Sequence, residues 1–171
     1  MLKAIAVKGA SGDTSDTEPL VGRAVLPHDE RHLRRRTIRL DDGRSVLVDL
    51  PATVVLGAGD RLVIEGGGVV EIAAADEDLY AVRGHDPVHM MELVWHIGNR
   101  HLAASIDAER ILILRDHVIK AMLEGLGAHV HDVVMPFNPM RGAYSGHSHG
   151  HGNEHGNDHG HAHGHARHGA H

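Results

Sequence analysis

The fold of the second half of the chain is decided by the stretch DPVHMMELVWHIGNRH, residues 86–101. Asp86 followed by Pro87 is typical of a helix N-terminus, because an aspartate side chain accepts the first backbone N–H groups and proline needs no partner there. Gly98 is predicted to end this helix in a left-handed conformation and to bring the residues after it to the surface. The buried stripe predicted from helical spacing consists of Val88, Met91, Val94, Trp95 and Ile97.

On either side of this helix the sequence alternates between strand and helix patterns over residues 76–145. Short apolar or alternating runs predict strands at residues 79–82, 101–106, 110–114 and 130–135. A second helix is predicted from Asp116 to Gly127, with Val118, Met122 and Leu126 on its buried stripe. The order β-α-β-β-α-β predicts a ferredoxin-like domain, in which an antiparallel sheet carries both helices on one face.

Residues 1–75 predict a small all-β domain. Runs rich in Val, Ile and Leu predict six strands, at residues 2–7, 21–26, 37–40, 45–50, 61–65 and 69–74. The sequence Asp41-Asp42-Gly43-Arg44 indicates a hairpin turn between two of them. The predicted fold class is therefore α+β, with an all-β N-terminal domain (1–75), a ferredoxin-like domain (76–145) and a tail (146–171).

Residues 146–171 contain no Val, Ile, Leu or aromatic residue, which predicts a disordered tail that buries too little apolar surface to fold. Neutral imidazole is a good ligand for Ni²⁺, Cu²⁺, Zn²⁺ and Co²⁺, so a histidine-rich tail can bind several such ions. A purification tag is the alternative, but tags are usually contiguous and these histidines are interspersed with Gly and Ala. The predicted metal-binding histidines of the tail are His147, His149, His151, His155, His159, His161, His163, His165, His168 and His171.

Composition excludes several classes of protein. The 171 residues include no cysteine and carry a formal net charge of −6, which excludes disulfides and thiolate metal sites and disfavours a nucleic-acid-binding protein. No apolar run is long enough to span a membrane or to form a secretory signal, which favours a cytoplasmic protein. HExxH, Walker-type and GxSxG motifs are absent, so we do not expect an enzyme. The chain has only four aromatic residues, so its core must be largely aliphatic, and dimerisation would bury additional surface area.

The histidines before the tail have roles that spacing leaves open. His96 and His101 flank the end of the first predicted helix, where they either contact the terminal carbonyls or bind a metal ion between two copies of the chain. His117 is either an exposed residue after a helix cap or a ligand. His129 and His131 share one face of the last predicted strand and either chelate or face solvent.

Two further clusters have ordinary surface explanations. His85 and His89 bracket the start of the first predicted helix. The basic cluster precedes a predicted strand and is either a docking patch for an acidic partner or a solvated strand edge. It consists of Arg31, Arg34, Arg35 and Arg36.

Three motifs follow one another along the second half: HIGNRH at residues 96–101, RDHVIKAMLEGLG at 115–127, and PFNP with GAY at 136–144. In this order they resemble the C-terminal domain of the urease accessory metallochaperone family, the E component of urease maturation. That family's corresponding patterns are HLGNRH, RDHV-x-x-x-ML-x-x-LG and PF-x-P with GAY. The first half is similar in its Arg-rich strand, its LDDG turn at residues 40–43 and DLP at 49–51, so the resemblance covers residues 1–145.

The resemblance implies a homodimer, formed through the ferredoxin-like domains, that binds Ni²⁺ and delivers it to the urease maturation complex. It implies that His101 from each subunit is the key ligand at the dimer interface and that His117 is an accessory metal-binding residue. Arg115 stands where some members have a further histidine, so a site of that richer type is not expected.

The partners implied by the resemblance are the urease accessory GTPase and, through it, apo-urease with its other accessory proteins. The N-terminal domain is similar to the peptide-binding fold of certain co-chaperones, which implies protein docking. The main alternative is a His-rich protein that stores or buffers nickel or zinc. A peptide-binding chaperone whose histidines are incidental is a second alternative.

Overall fold

The computed structural model describes residues 1–10 and 18–142 as a two-domain α+β protein of mostly strands with two α-helices. Neither of the α-helices among these residues has the length and apolar composition that a membrane-spanning segment requires. Each domain is built on its own sheet, and the chain passes from the first sheet to the second at Ala75.

The first domain contains one six-stranded sheet. Its strands are β1 (Leu2–Lys8), β2 (Leu20–Leu26), β3 (His32–Arg39), β4 (Ser45–Val55), β5 (Arg61–Ile64) and β6 (Val69–Ala74), with a short 3-10 helix at His28–Arg31. The strand order is β2-β6-β5-β1-β4-β3, so β2 and β3 are the edge strands. The six strands predicted for residues 1–75 are confirmed, although β3 and β4 are longer than predicted.

Alternating apolar residues explain why these strands share one core. Val46, Val48 and Leu50 alternate along β4 and are all buried, while the residues between them are half-exposed. Buried side chains from all six strands belong to a single cluster. The predicted hairpin between β3 and β4 is confirmed: Gly43 has a φ of 85°, and the Leu40 N–H donates to the Arg44 carbonyl at 2.8 Å.

The second domain contains a four-stranded antiparallel sheet. Its elements are β7 (Asp76–Arg83), α1 (Pro87–Gly98), β8 (Ala104–Ile106), β9 (Ile111–Leu114), α2 (His117–Gly125) and β10 (His129–Pro136). The strand order is β10-β7-β9-β8, and every neighbouring pair is antiparallel. Leu93 and Ile97 of α1 and Leu123 of α2 pack in one cluster with side chains of β7 and β9, so both helices cover the same face.

The buried stripe predicted for α1 is wrong at three of its five residues. Val88, Met91 and Trp95 are 60, 63 and 64% exposed. Leu93 and Ile97 are the apolar residues that α1 buries fully. The helix is apolar around most of its circumference, so helical spacing alone is compatible with more than one buried face.

The stripe predicted for α2 is also partly wrong. Leu123 is the buried residue of this helix, with Met122 partly buried against the same cluster, whereas Val118 is 62% exposed. Leu126 lies just past the helix and is exposed. The predicted stop is confirmed, because Gly127 takes a φ of 87° directly after the helix end.

The basic cluster is not a continuous surface feature, because Arg31 is buried. Its side chain is only 2% exposed and lies where the first domain meets the chain that follows β10. Burial lowers the pKa of its guanidinium from the usual value. Arg34, Arg35 and Arg36 are exposed on the edge strand β3, as expected for a solvated edge or a docking patch.

Candidate metal-binding site

The end of α1 positions His101, and it does so differently from the sequence prediction. Gly98 is still helical and does not have a positive φ. Two further turns follow, in which the Arg100 N–H donates to the Ile97 carbonyl at 3.1 Å and the His101 N–H donates to the Gly98 carbonyl at 2.9 Å. The predicted left-handed conformation at Gly98 is therefore wrong, because these bonds extend the helical winding beyond it.

The left-handed residue at this turn is His101 itself. Its φ is 55°, and among the described residues it is the only one other than glycine with a positive φ. For a residue with a Cβ, this conformation costs about 1–2 kcal/mol. His101 is exposed, so the backbone holds its imidazole at the surface just beyond the end of α1.

The strand registers place several chain segments at the same end of the second sheet. Ala104 pairs with Ile113 near the end of β9, and Pro136 pairs with Asp76 at the start of β7. The loop that carries His101, the start of α2 and the segment after β10 consequently lie at this end. His117 is the first residue of α2 and is exposed there.

A standard cap holds the start of α2. The Asp116 carboxylate accepts the Val118 and Ile119 N–H groups at 2.8 and 3.0 Å. His117 lies inside this capped turn as the first residue of α2, and its side chain is exposed.

One chain does not assemble a metal site from the residues that the structure describes. Within residues 1–10 and 18–142, no three His, Asp or Glu side chains come together in a group that could hold an ion. A single exposed imidazole binds a divalent ion weakly, so His101 would need further ligands to form a metal site. The sources available are a second copy of the chain and the histidines of residues 146–171, which lie outside the described residues.

An exposed apolar face runs along α1, the helix that ends three residues before His101. It consists of Val88, Met91 and Trp95, which recur at intervals of three and four residues and are each at least 60% exposed. Together with Glu92 and His96 these three residues line a shallow depression. The Trp95 and His96 rings meet edge to face at 5.1 Å. We call Val88, Met91 and Trp95 the α1 apolar face.

The structure also assigns a role to His89 that sequence reasoning missed. This side chain is 5% exposed, although it was expected at the surface. Its Nε2 lies 2.9 Å from the Leu126 carbonyl, and its Nδ1 accepts the His85 N–H at 3.2 Å. The Nε2 contact joins the start of α1 to the end of α2, and Nδ1 is engaged locally by His85, so His89 is unsuited to bind a metal ion. No sequence signal separates it from an exposed helix residue.

His129 and His131 lie on the face of the second sheet that the helices do not cover. Both are exposed on the edge strand β10, with His131 opposite Ala81 of β7. The predicted shared face is therefore present, but the two side chains have no third ligand among the described residues.

Two family models match the chain, and together they span most of it. The model described as "UreE urease accessory protein, N-terminal domain" matches residues 9–75, and the one described as "UreE urease accessory protein, C-terminal domain" matches residues 77–165. The second match includes α1, the His101 loop and α2.

Curated relatives agree with these matches. The chain is 62% identical to the urease accessory protein UreE of Mesorhizobium japonicum over 141 residues, which are 82% of this chain and 72% of the relative. It is 64% identical to the Brucella anthropi protein of that name over 129 residues, 75% of this chain and 76% of the relative. It is 57% identical to UreE 1 of Brucella suis over 146 residues, 85% of this chain and 89% of the relative. The relatives are named as accessory proteins rather than as urease, and the chain belongs to the UreE urease accessory protein family.

Proposed function

We propose that this protein acts in urease maturation as a homodimeric metallochaperone, which binds Ni²⁺ and delivers it to the maturation complex. The observation that carries the proposal is the exposed imidazole of His101, held in a left-handed conformation three residues beyond a helix that presents an apolar face. Membership of the UreE family supports the role in maturation. Nickel is the cargo in this proposal, and Zn²⁺, Cu²⁺ or Co²⁺ would compete for the same imidazoles in vitro.

The α1 apolar face is the proposed dimer interface. Large apolar side chains that are more than half exposed on one helix face are typical of a surface covered by another protein. In a two-fold dimer the same face of each copy forms the contact. His101 lies three residues beyond the C-terminal end of α1. In the proposed dimer the two-fold axis passes near the C-terminal ends of the two paired helices, which would bring both His101 imidazoles towards that axis.

The proposed ion site is completed by ligands that one described chain does not supply. Two His101 imidazoles give two ligands, and histidines of residues 146–171 would provide the others. His117 is at the same end of the sheet and would act as an accessory ligand. Imidazole bonds to Ni²⁺ can be exchanged one at a time, which suits transfer to a partner with competing ligands. Protons also compete for imidazole, so affinity should fall below about pH 6.5.

The proposed partners follow from the family and from the arrangement of the two domains. The accessory GTPase would accept the ion, and through it the ion would reach apo-urease and its other accessory proteins. The strand order β10-β7-β9-β8 with both helices on one face supports a ferredoxin-like description of the metal-binding domain. The six-stranded domain, with its basic edge strand β3, is the proposed docking surface for protein partners.

A variant at His101 tests the proposal. His101→Asn retains a residue that tolerates a positive φ but removes the imidazole. We expect it to lose the tightest Ni²⁺ in a calorimetric titration and to impair urease activation in cells at limiting nickel. Urease that is as active as with the wild-type protein under these conditions would contradict the proposal.

A nickel- or zinc-storage protein remains the alternative, and the ten tail histidines are the observation that favours it. The matched test is a full-length chain in which these ten histidines are replaced by asparagine, which we call the silenced tail. If the protein stores nickel, the silenced tail should abolish its effect on urease activation at limiting nickel, whereas His101→Asn should not. Delivery predicts that the silenced tail lowers the number of bound ions but leaves the dimer and one tight ion.

A further inference from the structure

Arg31 is a buried cation at the junction of the two domains. Its side chain is 2% exposed, and it lines a cavity of about 70 Å³ between the first domain and the segment that follows β10. Two of its three guanidinium nitrogens donate to that segment, one to the Phe137 carbonyl and the other, at 2.9 Å, to Oδ1 of Asn138. The third nitrogen, Nε, is buried and has no acceptor among the described residues. A buried donor without an acceptor is destabilising, so an acceptor that reaches Nε would bind favourably.

The carboxylates that act on Arg31 are bonded to other groups. Burial lowers the pKa of the Arg31 guanidinium, whereas the charges of Glu77 and Asp60 raise it. Glu77 accepts the His28 N–H at 2.8 Å and lies 3.1 Å from its Nδ1. Asp60 accepts two backbone N–H groups, at 2.8 and 3.1 Å, and forms an ion pair with Arg141. Arg31 therefore carries a positive charge that no carboxylate of the described residues contacts directly.

The cavity beside Arg31 has a cationic lining. Arg141 and His28 share its wall with Arg31, and none of the described Asp or Glu residues lines it. The remainder of the wall is mostly apolar, which strengthens the attraction between these groups and an anion. About 10–15 Å³ is enough for one water molecule, so this volume has room for an ion of several heavy atoms. The Arg141 side chain is 41% exposed, so an anion can approach the cavity beside it.

We propose that this cavity is a binding site for a small monovalent oxyanion, such as formate, acetate or nitrate, which accepts the Arg31 Nε–H. An oxyanion has several acceptor oxygens, so it can accept from a second cationic group of the wall at the same time. A single negative charge fits the balance of charges, because Asp60 already pairs with Arg141 and Glu77 with His28.

The bound ion would stabilise the domain junction. Arg31 and His28 belong to the first domain, whereas Asn138 and Arg141 follow the last strand of the second. An ion held between these groups binds the folded protein and not the unfolded chain, so it should raise the melting temperature. The site is separate from the nickel site proposed at His101, and it does not depend on that proposal.

The Nε–H group of Arg31 provides a direct measurement on the wild-type protein. Full-length ¹⁵N-labelled chain is titrated with sodium formate, sodium acetate and sodium nitrate, with EDTA present and the pH held at about 7.5, where most histidines are neutral. Sodium HEPES keeps the ionic strength constant, because its anion is too large for the cavity. The Arg31 signal is the Nε–H resonance that Arg31→Gln lacks. Arg115 is the control, since its Nε already donates to the Leu79 carbonyl at 3.2 Å.

We expect the Arg31 Nε–H signal to shift saturably with formate and the Arg115 signal to stay in place. A site that is half-filled at about 1 mM should raise the melting temperature by about 5–10 °C at 100 mM formate. Arg31→Gln should lose most of this formate-dependent rise. Arg34→Gln, at an exposed residue of the same domain, should retain it.

An Arg31 signal that does not move with any of the three salts up to about 100 mM would overturn the proposal, because water would then be the acceptor for Nε. Equal, non-saturating shifts of the Arg31 and Arg115 signals would also overturn it, since they would indicate a general effect of salt. The same holds for a formate-dependent rise in melting temperature that is unchanged in Arg31→Gln. None of these results bears on nickel binding, which His101→Asn tests separately.

Discussion

Replacement of Trp95 by alanine should dissociate the proposed dimer. An indole side chain buries about 200 Å² when fully covered, so 64% exposure leaves about 130 Å² on each chain. At about 25 cal/mol/Å², covering this area contributes about 3 kcal/mol per chain and about 6 kcal/mol for two symmetric copies. Alanine retains some contact and neighbours relax, so we expect a loss of about 4 kcal/mol, or about a 10³-fold increase in the dimer Kd.

Sedimentation equilibrium over a dilution series measures this Kd, and the chain contains a closely matched control for it. Val88 and Val118 are both the second residue of their helix, and they are 60 and 62% exposed. Val88→Glu should weaken the dimer strongly because it places a carboxylate in the α1 apolar face, whereas Val118→Glu on α2 should not. A Kd for Trp95→Ala within about threefold of wild type, or equal effects of the two glutamates, would refute the assignment of this face.

Three further predictions concern stability. Hydrogen bonding from the His89 N–H lowers the pKa of Asp86, so its carboxylate stabilises the fold above the usual pKa, and this contribution is lost as the pH falls through the depressed value. Asp86→Ala should therefore melt below wild type at pH 7, and the difference in melting temperature should shrink as the pH falls through that range. His101→Gly should be about 1 kcal/mol more stable than His101→Ala in urea unfolding, because glycine adopts the left-handed conformation without strain and alanine does not. Equal stabilities of the two variants would argue against a left-handed conformation at residue 101. Arg31→Lys should lower the free energy of unfolding by about 2 kcal/mol in the same assay, because one ammonium group cannot replace the several buried N–H donors of a guanidinium. The control Arg34→Lys, at an exposed residue, should change it by less than about 0.5 kcal/mol.

The proposed mechanism explains why a weak ligand set is useful. A described chain supplies one exposed imidazole at the helix end and no complete cluster of ligands. The ion would therefore be held by groups from two chains and from a tail, each of which can leave separately.

Several features could be predicted from the sequence because neighbouring residues decide them. The caps Asp86 and Asp116 and the left-handed Gly127 depend on hydrogen bonds within one or two turns, and the structure has all three. The hairpin turn at Gly43 is equally local. The motif that contains His101 can also be recognised from the sequence, because it is one of three motifs that follow one another in a fixed order.

Tertiary structure alone decided which faces are buried and where the chain turns. The helix α1 is apolar on several sides, and only its packing on β7 and β9 selects Leu93 and Ile97 over Trp95. The left-handed turn falls at His101 instead of Gly98, because the hydrogen-bonded turns continue to that residue before the chain enters β8. Arg31 appears in the sequence as part of a surface charge run, yet contacts with a segment more than 100 positions away bury it. Such contacts form only when the two domains pack against each other, so the local secondary-structure propensity of the sequence cannot predict them.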